Sequence, residues 1–334
     1  MKAQIGLDIG TSSVKLVCLE KEGENWRLLA LGEASSPPGG AQIASSETKL
    51  AETIKKLIVD LGIKTQLVVS ALPESKTTSR VLSFPSMKEE EVYKAIFYEA
   101  ETFVPDPLDQ VQIDYQILQK TPQRVLTFVV VAKKTLIEQY EKIINEAGLL
   151  AMAIETTATA LGRSLPQIID KPVMILDLGS QNSTMVVVKN GSIYFTQVIP
   201  FGGEAFTRAL SVALGMDTFR AEEYKKTYGF KGGEWEGKIR QALHDVFVHL
   251  GEEIKKGFLA FTEEWQEQVS FLLIAGGGSS LPGLTDELVK IMGIEVQISQ
   301  PLAGINIQGA KWLVKNQDDL ARFAVAIGLA KREK

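Results

Sequence analysis

Apolar residues along this chain come in short runs whose spacing changes in a regular way, and the changes divide it into elements. Over residues 5–19, IGLDIGTSSVKLVCL, apolar residues lead up to Asp8 and Gly10-Thr11-Ser12-Ser13 breaks the run with small turn residues. Val14, Leu16 and Cys18 then alternate with Lys15 and Val17. This predicts strand, tight turn and strand. The same order returns over residues 173–188, VMILDLGSQNSTMVVV, with Asp177 ending the first run and Gly179-Ser180 opening the turn. After the first hairpin the pattern predicts a strand at 26–33 and a loop at 35–40. Leu50, Ile54, Leu57, Ile58 and Leu61 lie on one face of a helix over 47–61 that stops at Gly62, and a buried strand follows at 67–72.

SFPS at 83–86 marks a change of module. Ser86 and Glu89 have capping-box spacing, and Val92, Ile96, Ala100 and Phe103 then line one helix face up to Pro105. Strands at 111–118 and 125–132 follow, then a helix over 133–147 carrying Leu136, Tyr140, Ile143 and Ile144. Together they predict a small α+β unit at about 84–150. Residues 149–155 return to a strand and 156–165 to a short helix rich in Thr and Ala. In the second half, Lys189-Asn190-Gly191 is a type I′ turn signal leading into a strand at 192–198. A helical block covers about 204–268, and its longest part, 234–267, repeats Ile239, Leu243, Phe247, Leu250, Ile254, Phe258 and Phe261 at helical intervals. A strand at 271–274 leads into AGGGSSLPG at 275–283, which opens a helix at Pro282 running over 284–292. A strand at 294–298 and a closing helix at 318–331 complete the reading.

Two of the turns carry candidate chemistry. An acid at a strand end followed by glycine and hydroxyls supplies donors, close backbone approach and a carboxylate able to hold Mg2+ through water. One such turn is also what an ordinary hairpin looks like, and the recurrence raises the expectation of a phosphate clamp. In the third glycine-rich stretch a base or ribose can lie against backbone. Composition excludes more than it assigns. The 334 residues are 45% hydrophobic and 23% charged, enough for two or more cores, and the net charge of -5 gives no general pull toward nucleic acid or an anionic membrane. The single cysteine cannot form an internal disulfide, and the two histidines, His244 and His249, make a zinc site a poor reading. No signal-peptide pattern and no apolar run of about 20 residues is found. The expectation is a cytoplasmic protein that neither binds nucleic acid nor inserts directly into a membrane.

Three such sites in this order resemble the actin-like ATPase superfamily of sugar kinases, heat-shock chaperones and actin, over nearly the whole chain. AEEYKKTYG at 221–229 looks like the AExxKxxxG helix, and GGEAFT at 202–207 like the GGxxxT motif, of that superfamily's bacterial filament branch. Within the branch the chain resembles the PilM family of type IV pilus assembly, with the FtsA cell-division family next. The resemblance implies an α/β fold of duplicated ribonuclease H-like domains around a nucleotide cleft, with a small α+β insertion called subdomain 1C. The first domain would comprise 1–83, 151–170 and 318–334, the insertion 84–150 and the second domain 171–317.

It also implies ATP and Mg2+ as cofactors. Asp8 and Asp177 would serve the magnesium shell and catalysis; no motif identifies the side chain that positions water, and Glu155 and Gln181 are candidates by location alone. Gly10, Thr11, Ser12, Ser13 and Lys15 would hold phosphates from one side, and Gly179, Ser180, Gln181, Asn182 and Ser183 from the other. Gly203, Glu222, Lys225, Gly276, Gly277, Gly278 and Ser279 would face the adenosine. The implied partner is the short N-terminal cytoplasmic peptide of a bitopic inner-membrane pilus protein, PilN-like, docked on the insertion. Turnover would be slow, self-association is a further expectation, and a partner would recruit the chain to the inner face of the membrane. An FtsA protein is the alternative, with a sugar-kinase phosphotransferase behind it. FtsA proteins usually have lysine where this chain has Ser13, and they continue past the position of KREK at 331–334 to an amphipathic helix. Lys15 in GTSSVK matches the PilM pattern.

Overall fold

The first apolar runs fold as a meander of β1 (Gln4–Ile9), β2 (Ser13–Glu22) and β3 (Asn25–Ser35), antiparallel throughout, with Asp8 directly opposite Lys15. This computed structural model describes residues 3–38, 40–42, 46–164, 170–231, 236–314 and 319–333. The chain continues through α1 (Glu47–Leu61), β4 (Leu67–Leu72), β5 (Thr77–Pro85), α2 (Glu89–Phe103), β6 (Val111–Lys120), β7 (Arg124–Lys133), α3 (Lys134–Glu146), β8 (Leu150–Thr156) and α4 (Thr157–Ser164). A second meander follows, β9 (Val173–Leu178), β10 (Ser183–Lys189) and β11 (Ser192–Ile199). The turn between β10 and β11 has both Asn190 and Gly191 at positive φ, as a type I′ turn requires. Then come α5 (Gly203–Leu214), α6 (Thr218–Tyr228), α7 (Glu236–Trp265), β12 (Phe271–Ala275), α8 (Leu284–Met292), β13 (Glu295–Ile298), β14 (Ile305–Asn306), β15 (Lys311–Leu313) and α9 (Ala324–Ala330).

Sheet order exposes a duplication. The larger sheet runs β14-β3-β2-β1-β4-β8, with β15 also on β3, and the second runs β11-β10-β9-β12-β13. In each, a hairpin and a third antiparallel strand are followed by two parallel strands reached through crossovers, so β1 corresponds to β9 and β4 to β12. Parallel strands covered on both faces account for the nearly continuous apolar runs at 67–72 and 271–275. Between the halves, α4 and α9 cross closely. A Cβ on Gly328 would lie 1.8 Å from the Ala160 carbonyl oxygen, and one on Gly6 of β1 would lie 1.9 Å from that of Ala326. These contacts allow only a hydrogen at each position.

Several expectations shift. Residues 77–83 belong with the inserted sheet, because β5 pairs along its whole length with β7 in the order β5-β7-β6, and the boundary expected at 84 falls inside this strand. Thr77, Thr78, Ser79 and Arg80 carry no apolar run to mark the strand in the sequence. At the other end, α3 does not share the insertion's core. Its Tyr140, Ile143 and Ile144 pack with Ile5, Leu7 and Leu50 of the first domain. The insertion's own core is Leu82, Val92, Ile96, Ala100, Val111, Ile113, Val125, Val129 and Val131. The unit with a separate core is therefore 77–133, not 84–150. Its helix is capped later than expected: the Lys88 N–H donates to Glu91 Oε2 at 2.9 Å, because the Ser86 N–H is already bonded to Gln123 O. β14 and β15 join the first sheet although residues up to 317 were expected in the second domain; strands of two and three residues leave no readable period. The closing helix is shorter than expected, with a 3-10 turn at Ala321–Phe323 ahead of α9, and its expected start at 318 lies outside the described residues.

Candidate functional site

The two Asp-bearing hairpins face one another across a cleft of about 940 Å³. Asp8 stands at the end of β1 and Asp177 at the corresponding place on β9, so the duplicated topology brings two carboxylates to the cleft floor. In the first turn the Gly10 N–H donates to Ser13 O at 3.1 Å. Ser36 clamps the loop from outside, its N–H on Ser12 O at 3.0 Å and its Oγ on Gly10 O at 2.7 Å. In the second turn a Cβ on Gly179 would sit 2.5 Å from Asn182 O, so the turn is too tight for a side chain there. Thr11, Ser12, Ser13, Ser180, Gln181 and Asn182 all line the cleft.

The charges on the floor are not balanced within the protein. Lys15 Nζ lies 3.3 Å from Asp8 Oδ2, and among the described residues no comparable ion pair forms at Asp177. Asp177 keeps some surface toward the cleft but lies deep among protein atoms. That burial, with the negative charge of Asp8, pushes its carboxyl up to about 6, against the opposing pull of Lys15. A cation at this spot relieves the conflict. Among the described residues no group of three or more His, Cys, Asp or Glu side chains comes together as a metal site. Asp8 and Asp177 can thus serve a magnesium ion only as part of a shell completed by water and anionic oxygens, the habit of Mg2+.

The remaining wall comes from the second domain. Gly276 follows β12 at φ 81°, and a Cβ there would lie 2.4 Å from Asp177 Oδ1, so the third glycine-rich stretch packs directly on the cleft floor. Gly277 has open space beside it, and Gly276, Gly277 and Gly278 all line the cleft. The Gly203 N–H bonds Gly179 O at 2.9 Å, joining the start of α5 to the second turn. Lys225 Nζ reaches Glu222 Oε2 at 2.6 Å, Thr207 Oγ1 at 2.9 Å and Gly203 O at 3.0 Å, and the Thr207 hydroxyl also donates to Glu222. Burial works against the Glu222 charge. The hydrogen bonds from Lys225 and Thr207 overcome it and hold the carboxyl at about 2, while burial pushes Lys225 down. The pair stays ionised, since each charge is the other's main compensation. It presents a rigid polar corner to the cleft.

Residues 6–334 match the family described as type IV pilus assembly protein PilM. The chain belongs to the PilM family. A solved PilM-PilN type IV pilus biogenesis complex superimposes with a TM-score of 0.84 at 26% identity, over 98% of this chain and 97% of that one. The cell division protein FtsA of Neisseria meningitidis serogroup B is 24% identical over 97% of this chain and 88% of its own length. FtsA of Enterococcus hirae is 23% identical over 89% and 78%. MreB5 of Spiroplasma citri, solved with ADP, shares the fold at a TM-score of 0.57 and 11% identity, over 98% of this chain and 95% of its own. The fold is that of the actin-like ATPases.

Not every expected residue of this PilM-family chain reaches the cleft. Glu155 is turned away from it, paired with both Nη atoms of Arg163 at 2.7 Å and with Arg332 Nη1 at 2.5 Å. Its backbone lies beside Ala71 of β4, which does line the cleft, but the two arginines claim the side chain. Ser183 and Ser279 are buried and spend their hydroxyls on the carbonyls of Phe201 and Gly276, at 2.6 and 2.7 Å. Gln181 does line the cleft.

Other lining residues were not anticipated. Arg322 Nη1 bonds Glu33 Oε1 at 2.7 Å, tying the turn before α9 to β3. Tyr140 comes from α3 to the floor, where burial and the charge of Asp8 raise its pKa. Glu74, just after β4, is a carboxyl that burial raises, opposed by bonds from Ser79, Ala158 and Thr156. No local motif announces any of the three. The only sequence signal was the position of Glu74 beyond the carboxyl end of a parallel strand, where α/β sheets place their ligands.

Proposed function

We propose that this PilM-family protein binds ATP with Mg2+ in the cleft and uses the nucleotide to set the angle between its domains, and with it the grip of the inserted unit on a partner. The observation that carries this reading is the convergence of two equivalent Asp-ended hairpin turns, one from each half of a duplicated fold, on one cleft. Gly10, Thr11, Ser12, Ser13 and Lys15 hold phosphate oxygens from the first domain, and Gly179, Ser180, Gln181 and Asn182 from the second. Asp8 and Asp177 orient the water shell of the ion. Glu222, Lys225 and the backbone at Gly276, Gly277 and Gly278 accept the adenosine, with Ser183 and Ser279 acting through the backbone they brace. Bound Mg-ATP supplies the charge that both turns grip and an anhydride whose cleavage releases it. Turnover is slow in this reading, because the arginine-held Glu155 cannot position water and Gln181 is a weak base.

The partner we propose is the short N-terminal cytoplasmic peptide of a bitopic inner-membrane pilus protein of the PilN kind, the protein that accompanies PilM in the solved complex. It would recruit this chain to the inner face of the cytoplasmic membrane. Tyr93, Phe97 and Tyr98 stand exposed along α2 of the inserted unit and offer apolar anchorage for such a peptide. Among the described residues no helix is long and apolar enough to cross a membrane. Calorimetry tests the nucleotide reading. Mg-ATP is expected to bind the unmodified protein, and Asp8→Ala and Asp177→Ala each to weaken it by at least about tenfold, the scale of a single charge-assisted hydrogen bond. Unchanged affinity in both variants would remove the proposal.

A further inference from the structure

Glu74 lines the cleft from the turn after β4, and its side chain is nearly enclosed, at 5% exposure. Its two oxygens face different parts of the molecule. Oε1 accepts the Ser79 hydroxyl of β5 at 2.5 Å, and Oε2 accepts the Ala158 N–H in the first turn of α4 at 3.3 Å. The same turn of α4 is tied to β4 by the Thr157 hydroxyl, which donates to Leu72 O at 3.2 Å. One carboxyl thus joins the cleft wall, the helix that crosses α9 between the domains, and the first strand of the inserted sheet.

The inserted sheet also touches the second domain. Phe128, Val81 and Val130 share an apolar cluster with Val188 and Ile193 at the far ends of β10 and β11. Arg80 of β5 stands near enough to Glu264 at the end of α7 to oppose the rise that burial imposes on that carboxyl. If the cleft changes angle, the sheet cannot keep both sets of contacts, and the anchor that holds decides which domain it follows. The apolar contacts with the second domain can slide, whereas directed bonds to a nearly enclosed carboxyl cannot be broken without leaving buried polar atoms short of partners.

We propose that Glu74 is a positioning residue that fastens β5 to α4, so that a change of cleft angle on nucleotide binding is carried into the inserted sheet. This rests on the nucleotide reading above. The test is hydrogen exchange by mass spectrometry, with and without a non-hydrolysable Mg-ATP analogue. In the unmodified protein the nucleotide is expected to alter exchange both in the phosphate hairpins and in peptides covering 77–85 and 124–133. In Glu74→Ala, and in Ser79→Ala, which removes the same bond without emptying the buried site, the hairpins should still respond. The response at 77–85 and 124–133 should be lost. Glu74→Gln, whose amide can accept from Ala158 and donate to the Ser79 hydroxyl, should restore it, as a merely space-filling role would not require. Calorimetry separates the two claims. No binding to the unmodified protein removes the nucleotide reading and this link together; binding with an unaltered insertion response in Glu74→Ala and Ser79→Ala removes the link alone.

Discussion

Asp177 is held where its charge is unwelcome. Half-buried at the surface but deep among protein atoms and facing Asp8, its carboxyl is pushed up to about 6 from the 3.8 of a free one. The folded form therefore binds more protons than the unfolded one between those values, and stability falls as pH rises through that window, then levels off above it. The loss amounts to about 3 kcal/mol at most, from about 1.4 kcal/mol for each pKa unit. Asp177→Asn removes the titrating group. Denaturant unfolding of the ligand-free variant should show a gain over the unmodified protein that is larger at pH 8 than at pH 4, together with weakened Mg-ATP binding. A variant less stable than its parent at pH 8 would contradict this account of the floor. The Asp residues were readable because each sits in a local pattern of strand end, glycine and hydroxyls. Glu74 and Tyr140 have no such pattern. They matter through burial and through neighbours far away in sequence, such as Ala158 and Asp8, which only the folded chain brings together.

Elements with a strong period or a turn signature emerged from the sequence almost residue for residue: α1 with its stop at Gly62, β4, and α8. What stayed hidden were elements whose reason for forming is tertiary. β5 shows as a strand only through the full ladder that β7 offers it, since its opening Thr, Thr, Ser and Arg carry no apolar period. The apolar face of α3 was visible, but period alone cannot say whether that face lies on the inserted sheet or on the parent one. The small-residue helices α4 and α9 illustrate the same limit. Their Ala and Gly content suits an ordinary packed helix, and the structure shows contacts so close that one added methyl has no room. Gly328→Ala places a Cβ against the Ala160 carbonyl and should cost about 1–3 kcal/mol, or more if the helices cannot part. Thermal unfolding of this variant checks it, with Gly237→Ala, where nothing lies within 4 Å, as the matched control. Equal melting temperatures for the two would mean that the helices at the crossing part freely.

At the scale of the whole molecule the chain leaves the first sheet after β8, builds the second, and returns through β14, β15 and α9, so both crossing helices link the halves. The duplication itself was legible, because the two hairpins repeat one pattern. The inserted unit's contact with both domains was not, since it depends on how residues far apart in sequence, such as Val81, Phe128, Val188 and Ile193, stack in one cluster. That stacking has a thermodynamic consequence. If nucleotide and partner peptide both bias one equilibrium in cleft angle, each must change the other's affinity by the same factor, typically about 5–150-fold for coupled sites. Titrating a PilN-type N-terminal peptide with and without Mg-ATP, and Mg-ATP with and without the peptide, measures that factor twice. Phe97→Glu and Tyr98→Glu, on the exposed face of α2 and away from the insertion's core, should abolish peptide binding while leaving Mg-ATP affinity as in the unmodified protein. Peptide binding that survives both substitutions would move the docking site elsewhere. A coupling factor of one, with both ligands bound, would leave the cleft and the inserted unit as independent devices and end the clamp reading.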